Sequence, residues 1–358
     1  RQEDLGRTIA RMIQAERDAK GDRDLKLRAV HDFFYKGPIA DAVADYHARN
    51  NGFVTKEDLA GFTVPVEDSI SIDYRGYRVH SCDVWCQGVV LLESLKILEG
   101  FDLGAIGHNT PQYVHTVAET LNLAFSDREH YVGDPKFVKV PRDVMISEAY
   151  AARQRARIMP DRAFGRMPDA GDIEGRGQGA GSNAKSYAAP RGSESRFCPD
   201  TIYGCVIDRH GNAYSGTFSD SSNDTPVIPG TGLTISSRGT QSRLEPGHPA
   251  EVMPGKRPRL TPNPSMAFRD GKLFMTFGTP GGDVQSQAML QVFLNVADHG
   301  MTMQQAVEAP RLSSSSFPNS FAPHGYLPGR LNLECNMPAE VIEEMRAIGH
   351  DVDVWPAY

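Results

Sequence analysis

Apolar residues recur along this chain with two periods, and the switch between them marks its elements. Leu5, Ile9, Met12 and Ile13 fall at helical spacing within residues 1 to 20. Residues 26 to 49 predict two further helices, broken at Gly37-Pro38, where proline suits a first helical turn. Asn51-Gly52 reads as a turn, and Thr55-Lys-Glu-Asp58 as a capping box that opens a short helix. Ser69 to Ile72 and Tyr77 to His80 alternate around Tyr-Arg-Gly, which predicts a hairpin. Gly88 to Leu98 is a strongly apolar helix ended by Gly100. Residues 111 to 128 form the clearest helix, with Val114, Val117, Leu121, Ala124 and Phe125 on one stripe. His115 and Glu119 sit four apart on it, as metal ligands do, but a contact on the helix surface is the expectation. Ser126 to Pro135 is expected as a polar loop.

The second half opens on the period of a strand. Ile202 to Ile207 is a compact apolar run before Asp208-Arg-His-Gly211, which reads as a buried strand closing into a hairpin. If Asp208 and Asn212 flank a three-residue loop of Arg209, His210 and Gly211, Thr201 lies opposite Ser219. Upstream, residues 159 to 198 are rich in Gly, Ser, Arg, Asp and Ala and cannot bury enough surface to order themselves. Gly175-Arg-Gly-Gln-Gly-Ala-Gly181 lies within this connector with no strand before it, so it lacks the context of a phosphate loop. A flexible connector entering a strand that begins with Thr suits a self-cleaving precursor. Thr201 could attack the Asp200 carbonyl, and the freed α-amine, with a reference pKa of about 7.7 to 8.0, could serve its own hydroxyl as base. An ordinary loop entering an ordinary strand fits the same residues.

Further on, Lys272 to Phe277 is an apolar strand that runs into Gly278-Thr-Pro-Gly281-Gly282-Asp283. Val284, Ala288, Met289, Val292, Phe293 and Val296 then fall at helical spacing. Paired glycines let a backbone approach a ligand, and amides at a helix start favour negative charge, as an oxyanion needs. A tight turn chosen for packing is the other reading.

Composition narrows the class. The 358 residues leave room for a large core and one or two domains. Apolar content of 40% and charged content of 23% are those of an ordinary globular protein. A net charge of −7 and a pI near 5.9 argue against nucleic acid as main partner. No apolar run approaches the roughly 18 to 20 residues of a membrane span. Cys82, Cys86, Cys198, Cys205 and Cys335 are odd in number, which favours free thiols, and no His follows at zinc-ligand spacing. The chain opens at Arg1 inside a helical pattern and stops as a strand begins near Val352, so it reads as a piece of a longer protein. Compartment is not read from these residues; of bacterial cytoplasm and periplasm, the cytoplasm is the expectation.

Several motifs occur together in one order. They are Phe34-Tyr35, Gly37, Ile39-Ala40, Tyr74-Arg-Gly-Tyr77, Ile97-Leu-Glu-Gly100, Ala124-Phe-Ser-Asp-Arg128 and Gly133-Asp-Pro135. Thr201-Ile-Tyr-Gly-Cys-Val-Ile-Asp208, Gly211-Asn212-Ala213, Gly281-Gly282, Gly300-Met301, Ala306 and Ala309-Pro-Arg311 follow. This series resembles the γ-glutamyltranspeptidases, or glutathione hydrolases, a family of N-terminal-nucleophile hydrolases. The resemblance implies an α+β fold, a four-layer αββα sandwich. Residues 1–158 would be the C-terminal part of a large subunit, 159–200 a connector to the cleavage site, and 201–358 the small catalytic subunit.

The resemblance also implies an autoprocessed amidase or acyltransferase, made as a zymogen and cut between Asp200 and Thr201. Thr201 would be nucleophile, Ser219 would orient it, and the Gly281 and Gly282 amides would form the oxyanion hole. Ser221, Arg238, Thr240, Gln241 and Thr261 would line the substrate pocket. No metal and no cofactor are required. The expected partners are a small-molecule amide and the other cleaved subunit, without membrane or nucleic acid, and a homo-oligomer stays open.

Departures from the family pattern keep rivals in view. Asp83-Val-Trp-Cys-Gln-Gly88 stands where the family has Pro-Pro-Ser-Ser-Gly-Gly, and Ile202-Tyr203 where it has Thr-His. Ser236-Ser237-Arg238-Gly239-Thr240-Gln241 and Leu260-Thr261 replace its Asp-Asp and Ser-Ser substrate anchors. The acidic anchor is gone and Arg238 sits two residues before its position, which points to an amidase of small acidic amides, oxamate-like or glutaryl-like, unless Arg238 pairs with a structural carboxylate. The lost Thr-His leaves room for an unprocessed scaffold without activity.

Overall fold

The structure, a computed structural model, describes residues 2–173, 201–220 and 225–356. Four helices come first, α1 (Glu3–Asp18), α2 (Arg23–Tyr35), α3 (Pro38–Arg49) and α4 (Lys56–Gly61). A hairpin of β1 (Ile70–Tyr74) and β2 (Tyr77–Ser81) leads into α5 (Gly88–Leu98) and α6 (Leu103–Ile106). Then come α7 (Pro111–Tyr131), α8 (Arg142–Met145) and α9 (Glu148–Arg155). Two ribbons follow, β3 (Thr201–Ile207) with β4 (Ala213–Ser219), and β5 (Val227–Ile228) with β6 (Leu233–Thr234). The chain continues through β7 (Ser265–Arg269), β8 (Lys272–Phe277), α10 (Val284–Ala297) and α11 (Met303–Glu308). It ends with β9 (Leu312–Ser314), β10 (Arg330–Glu334), α12 (Ala339–Ala347) and β11 (Asp351–Trp355). The content is α+β, as expected.

The chain divides into two units. The smaller, Arg1–Glu67 with Ser221–Ser237, carries α1 to α4 and the β5–β6 ribbon. Its local signals hold: Pro38 sits in the first turn of α3, and Thr55 and Asp58 form the capping box of α4. Thr8 Oγ1 donates to the Thr231 carbonyl over 2.8 Å.

The larger unit is built on an antiparallel sheet in the order β1-β2-β7-β8. Arg75 and Gly76 both take positive φ, as a two-residue turn matched to strand twist demands. Ile72, Tyr74 and Val79 from this sheet join Val89, Leu92 and Leu95 of α5 and Leu290 and Phe293 of α10 in one apolar core. A second sheet, β11-β10-β9, pairs β10 with β11 in parallel. Among the described residues no helix is long and apolar enough to cross a membrane.

Helix α7 departs from the expected one-sided helix. It runs on to Tyr131, and every residue from Tyr113 to Glu129 is buried. The run read as a polar loop, Ser126-Asp-Arg-Glu, is therefore helix and interior. Its charges are satisfied from other segments. Asp127 accepts from Tyr150, Gln154 and the Gly171 amide, and Glu129 from Arg243 and Arg259. Burial alone would raise the Glu129 carboxyl, but the two arginines outweigh it and hold the group well below the usual range.

These buried groups also secure the start of the expected connector. Gly171 is bonded to Asp127 and Tyr131, Pro168 to Ser126, and the Met167 amide to the Tyr326 hydroxyl. Residues 159–173 are held in this way, and 174–200 lie outside the described residues.

The β3–β4 ribbon has the register counted from the sequence, with Thr201 opposite Ser219. The expectation that β3 is buried is corrected. Ile202 is 68% exposed and Val206 63%, and their cross-strand partners Phe218 and Tyr214 are exposed with them. The period of two holds only at the start of β3, because Cys205, Val206 and Ile207 are all exposed where the ribbon runs out toward its loop.

Phe125 stacks on Phe317 with ring centroids 3.8 Å apart and planes 7° from parallel. Phe125→Ala should cost about 3 to 5 kcal/mol of stability, read as a lower urea midpoint at unchanged slope.

Candidate active site

The hairpin loop sets the first arm of the site. Asp208 Oδ1 accepts from the His210 and Asn212 amides at 2.8 and 2.9 Å, and Gly211 supplies the positive φ of 83°. Register then carries Thr201 to Ser219, and their hydroxyl oxygens lie 2.5 Å apart.

A helical turn at Arg238–Gln241 continues from there. Arg238 Nη2 donates to Ser219 Oγ, its Nε to the Ser219 carbonyl over 3.0 Å, and its Nη1 to Gln241 Oε1 over 3.0 Å. Gln241 Nε2 reaches Thr261 Oγ1 at 3.4 Å, with both residues buried. Thr201, Ser219, Arg238, Gln241 and Thr261, chosen from the sequence as separate candidates, thus form one string of hydrogen bonds. Thr240 is exposed, and its carbonyl accepts from the Ala322 amide at 2.8 Å. Ser221 and Asp200 lie outside the described residues.

The second arm is the glycine pair between β8 and α10. Gly281 and Gly282 have φ of 127° and 58°, which side chains rarely adopt. Their carbonyls accept from the Val284 and Gln285 amides at 3.0 and 3.2 Å, so they turn toward the helix. Gln87 Nε2 donates to the Gly282 carbonyl over 3.0 Å and to the Thr261 carbonyl over 2.8 Å. Arg128 Nη1 donates to Asp283 Oδ1 at 2.5 Å, to Ser320 Oγ at 3.1 Å and to Gln87 Oε1 at 3.2 Å. Asp283 also accepts from the Ser320 amide and hydroxyl.

Two aromatic rings bring the arms together. A Cβ on Gly278 would lie 2.3 Å from the Tyr203 ring, so this position tolerates only glycine beside β3. Phe321 has the Arg238 guanidinium 5.5 Å from its ring centroid and stands 3.3 Å from where a Gly282 Cβ would be. Gln87, Arg128, Asp283 and Phe321 were not singled out from the sequence. Arg128 lay in the run read as a loop, and Gln87 in the segment that departs from the family pattern. Nothing local announces that they meet.

The surface contact expected of His115 and Glu119 is corrected, because both are buried. They lie with His350, and their donor atoms are all within 4.8 Å. His115 Nδ1 and His350 Nε2 are 3.0 Å apart, His115 Nε2 is 2.7 Å from the Met159 carbonyl, and Glu119 accepts from the Phe164 amide and Asn122. Both His115 ring nitrogens and His350 Nε2 are thus committed to hydrogen bonds that tie Met159 to α7 and the start of β11. Among the described residues the thiols of Cys86, Cys205 and Cys335 form no disulfide, and burial pushes that of Cys86 well up.

The sequence profile of the Gamma-glutamyltranspeptidase family matches residues 8–357. The chain is 32% identical over 348 residues to the acylase ACY 1 proenzyme of Pseudomonas sp. (strain SE83), across 96% of this chain and 55% of that protein. It is 30% identical to the glutathione hydrolase proenzyme of Bacillus subtilis (strain 168), across 91% of this chain and 53% of that one. The solved structure of LmbA2991HD superposes with a TM-score of 0.90 at 34% identity, covering 99% of this chain and 62% of its own. A cephalosporin acylase from Bacillus halodurans superposes with 0.76 at 28% identity, covering 94% of this chain and 55% of its own. The fold is α+β, of the N-terminal-nucleophile hydrolase type. Within that class the chain belongs to the Gamma-glutamyltranspeptidase family, and it spans about half the length of the curated relatives it matches.

Burial raises the Glu119 carboxyl to about 7, against the Phe164 amide and Asn122, which pull it down. In the unfolded chain the group titrates near 4.5, so between those values the native state binds more protons. Stability from Glu119 is therefore full below 4.5 and lost as pH rises toward 7. His350, pushed down to about 3 by burial and then by His115, has the opposite slope as pH falls below 6.5. Glu119→Gln should accordingly gain on the parent protein by up to about 3 kcal/mol between pH 4.5 and 8 in urea denaturation. A difference that does not vary with pH would refute the buried neutral carboxyl.

Proposed function

We propose that the protein is an autoprocessed amidase or acyltransferase whose nucleophile is the Thr201 hydroxyl. The observation that carries this reading is the 2.5 Å hydroxyl pair of Thr201 and Ser219 at the head of β3, with Phe321 lying against both Gly282 and the Arg238 guanidinium that holds Ser219. In the precursor, Thr201 Oγ1 attacks the Asp200 carbonyl, the Asp200–Thr201 amide breaks, and its nitrogen takes a proton. Water hydrolyses the resulting ester and leaves a free α-amine on Thr201. In turnover that amine takes the hydroxyl proton as Oγ1 bonds to the substrate carbonyl, and returns it to the departing amine. The Gly281 and Gly282 amides steady the oxyanion, and water or an amine acceptor then receives the acyl group.

The relatives are acylase and glutathione hydrolase proenzymes, and these names support an amide-cleaving precursor as the reaction class. The acyl group is the open choice, and one observation bears on it. Thr240-Gln241 carries no carboxylate for a substrate ammonium, which favours an acyl group other than free γ-glutamyl. Arg238 is turned onto Ser219, which removes the reason to expect an anionic substrate in particular.

The full-length protein should show two bands on a denaturing gel, with a new N-terminus at Thr201. Thr201→Ala should leave one band and no turnover of γ-glutamyl, glutaryl or oxamyl p-nitroanilide. Cleavage or turnover retained in that variant would end the proposal. Gly282→Ala keeps the amide but strains its φ of 58° and presses a Cβ on Phe321, so it should turn the donor away and lower kcat by about 10²- to 10³-fold.

A further inference from the structure

We propose that Arg238 is a positioning residue that sets which way the Thr201 hydroxyl points, and that it does not hold substrate. The inference rests on Thr201 being the nucleophile and adds to that reading the direction of its hydrogen bond. A guanidinium donates and never accepts. Arg238 Nη2 meets Ser219 Oγ, while its Nε holds the carbonyl of the same residue at 3.0 Å. The Ser219 hydroxyl oxygen therefore accepts from the arginine on one lone pair, and the cation polarises its O–H, which favours donation from Ser219 to Thr201 Oγ1 at 2.5 Å. Thr201 Oγ1 becomes the acceptor of the pair. Its own proton must point elsewhere, toward the base that removes it. Without the arginine, either hydroxyl can donate, and the arrangement that ties the Thr201 proton to Ser219 competes.

The same string strengthens as the reaction proceeds. When Oγ1 gives up its proton, negative charge gathers on the oxygen that Ser219 already donates to, with a cation immediately behind the serine. No proton passes along the string. Ser219 and Arg238 end each step as they began it, while the Thr201 proton goes to the base and the Oγ1 lone pair forms the bond to the acyl carbon.

The rest of the arginine's surroundings fit this task. Gln241 Oε1 receives Nη1 at 3.0 Å, and Phe321 lies 5.5 Å from the guanidinium carbon. Gln241 is tied in turn to the buried Thr261. These bonds use one N–H on each of the three guanidinium nitrogens and so fix its orientation toward Ser219.

Self-cleavage of the full-length precursor tests the inference, because it uses Thr201 with no substrate present. Purified precursors of the parent protein, Arg238→Gln, Arg238→Lys, Ser219→Ala, Ser219→Thr and the Arg238→Gln/Ser219→Ala pair would be followed on denaturing gels. N-terminal sequencing of the small fragment and a melting temperature complete each measurement. Arg238→Gln and Ser219→Ala should each slow the cut between 200 and 201 by about a hundredfold at unchanged melting temperature. The double variant should be no slower than the slower single, since both act through one bond. Ser219→Thr should cleave close to the parent rate, and Arg238→Lys, which keeps a cation and a donor, should recover part of it. Undiminished self-cleavage in Arg238→Gln would overturn the inference, since that is what a substrate anchor predicts. Losses that multiply in the double variant would overturn it too. A parent protein never cut between 200 and 201 removes the nucleophile itself, a failure told apart from the others by the parent alone.

Discussion

The buried pair of Arg128 and Asp283 is the constraint on which the site depends. Arg128 is fully buried against the stacked rings of Phe125 and Phe317, and Asp283 follows directly on the glycine pair. Two charges withdrawn from water are stabilised only if each is paired and its remaining hydrogen-bonding capacity is filled. Here Gln87, the Ser320 hydroxyl and the Pro318 carbonyl take up the Nη1 and Nη2 donors, while Arg128 Nε is buried without a partner. Losing either partner leaves an uncompensated charge, at a cost of about 3 to 5 kcal/mol. The ion pair thus ties α7, the start of α5 and the turn before α10 into one arrangement. That arrangement orients the Gly281 and Gly282 peptides.

The two arms of the site are held by different physics. The glycine arm is set by charge: Arg128 on Asp283, with Gln87 grasping the Gly282 carbonyl from the other side. The hydroxyl arm is set by register and by a single cation, since nothing but the β3–β4 pairing brings Thr201 and Ser219 together. Where the ribbon meets β8, Tyr203 and Gly278 allow close approach without a side chain between them. A polar, ordered interior joins these arms, and every group in it needs a partner from another segment.

Local signals were read well where the reason for them is local. The Thr55 capping box, the Gly37-Pro38 break, the Arg75-Gly76 turn and the Asp208 loop each rest on residues a few positions apart. The register of Thr201 against Ser219 followed from one of these loops and the period of two. The readings that changed all concern burial. Ser126-Asp-Arg-Glu was taken for a loop on its polarity, His115 and Glu119 for a helix surface, and Ile202 to Ile207 for a buried strand. Polarity shows that a residue needs hydrogen bonds or charge, but not whether water or distant protein supplies them.

Legible in the letters alone are α1 to α5, most of α7, α10, the two hairpins, the order of motifs that marks the family, and the candidates Thr201, Ser219, Arg238, Gln241, Thr261 and the glycine pair. Propensity, capping and periodicity act over a few residues, so they can be read from the string of letters. Only the tertiary structure decided that Arg238 turns to Ser219, that Gln87 and Arg128 brace the glycines, and that Phe321 stands between the arms. Those contacts join residues far apart in the chain, and their geometry comes into being only when the interior closes around them.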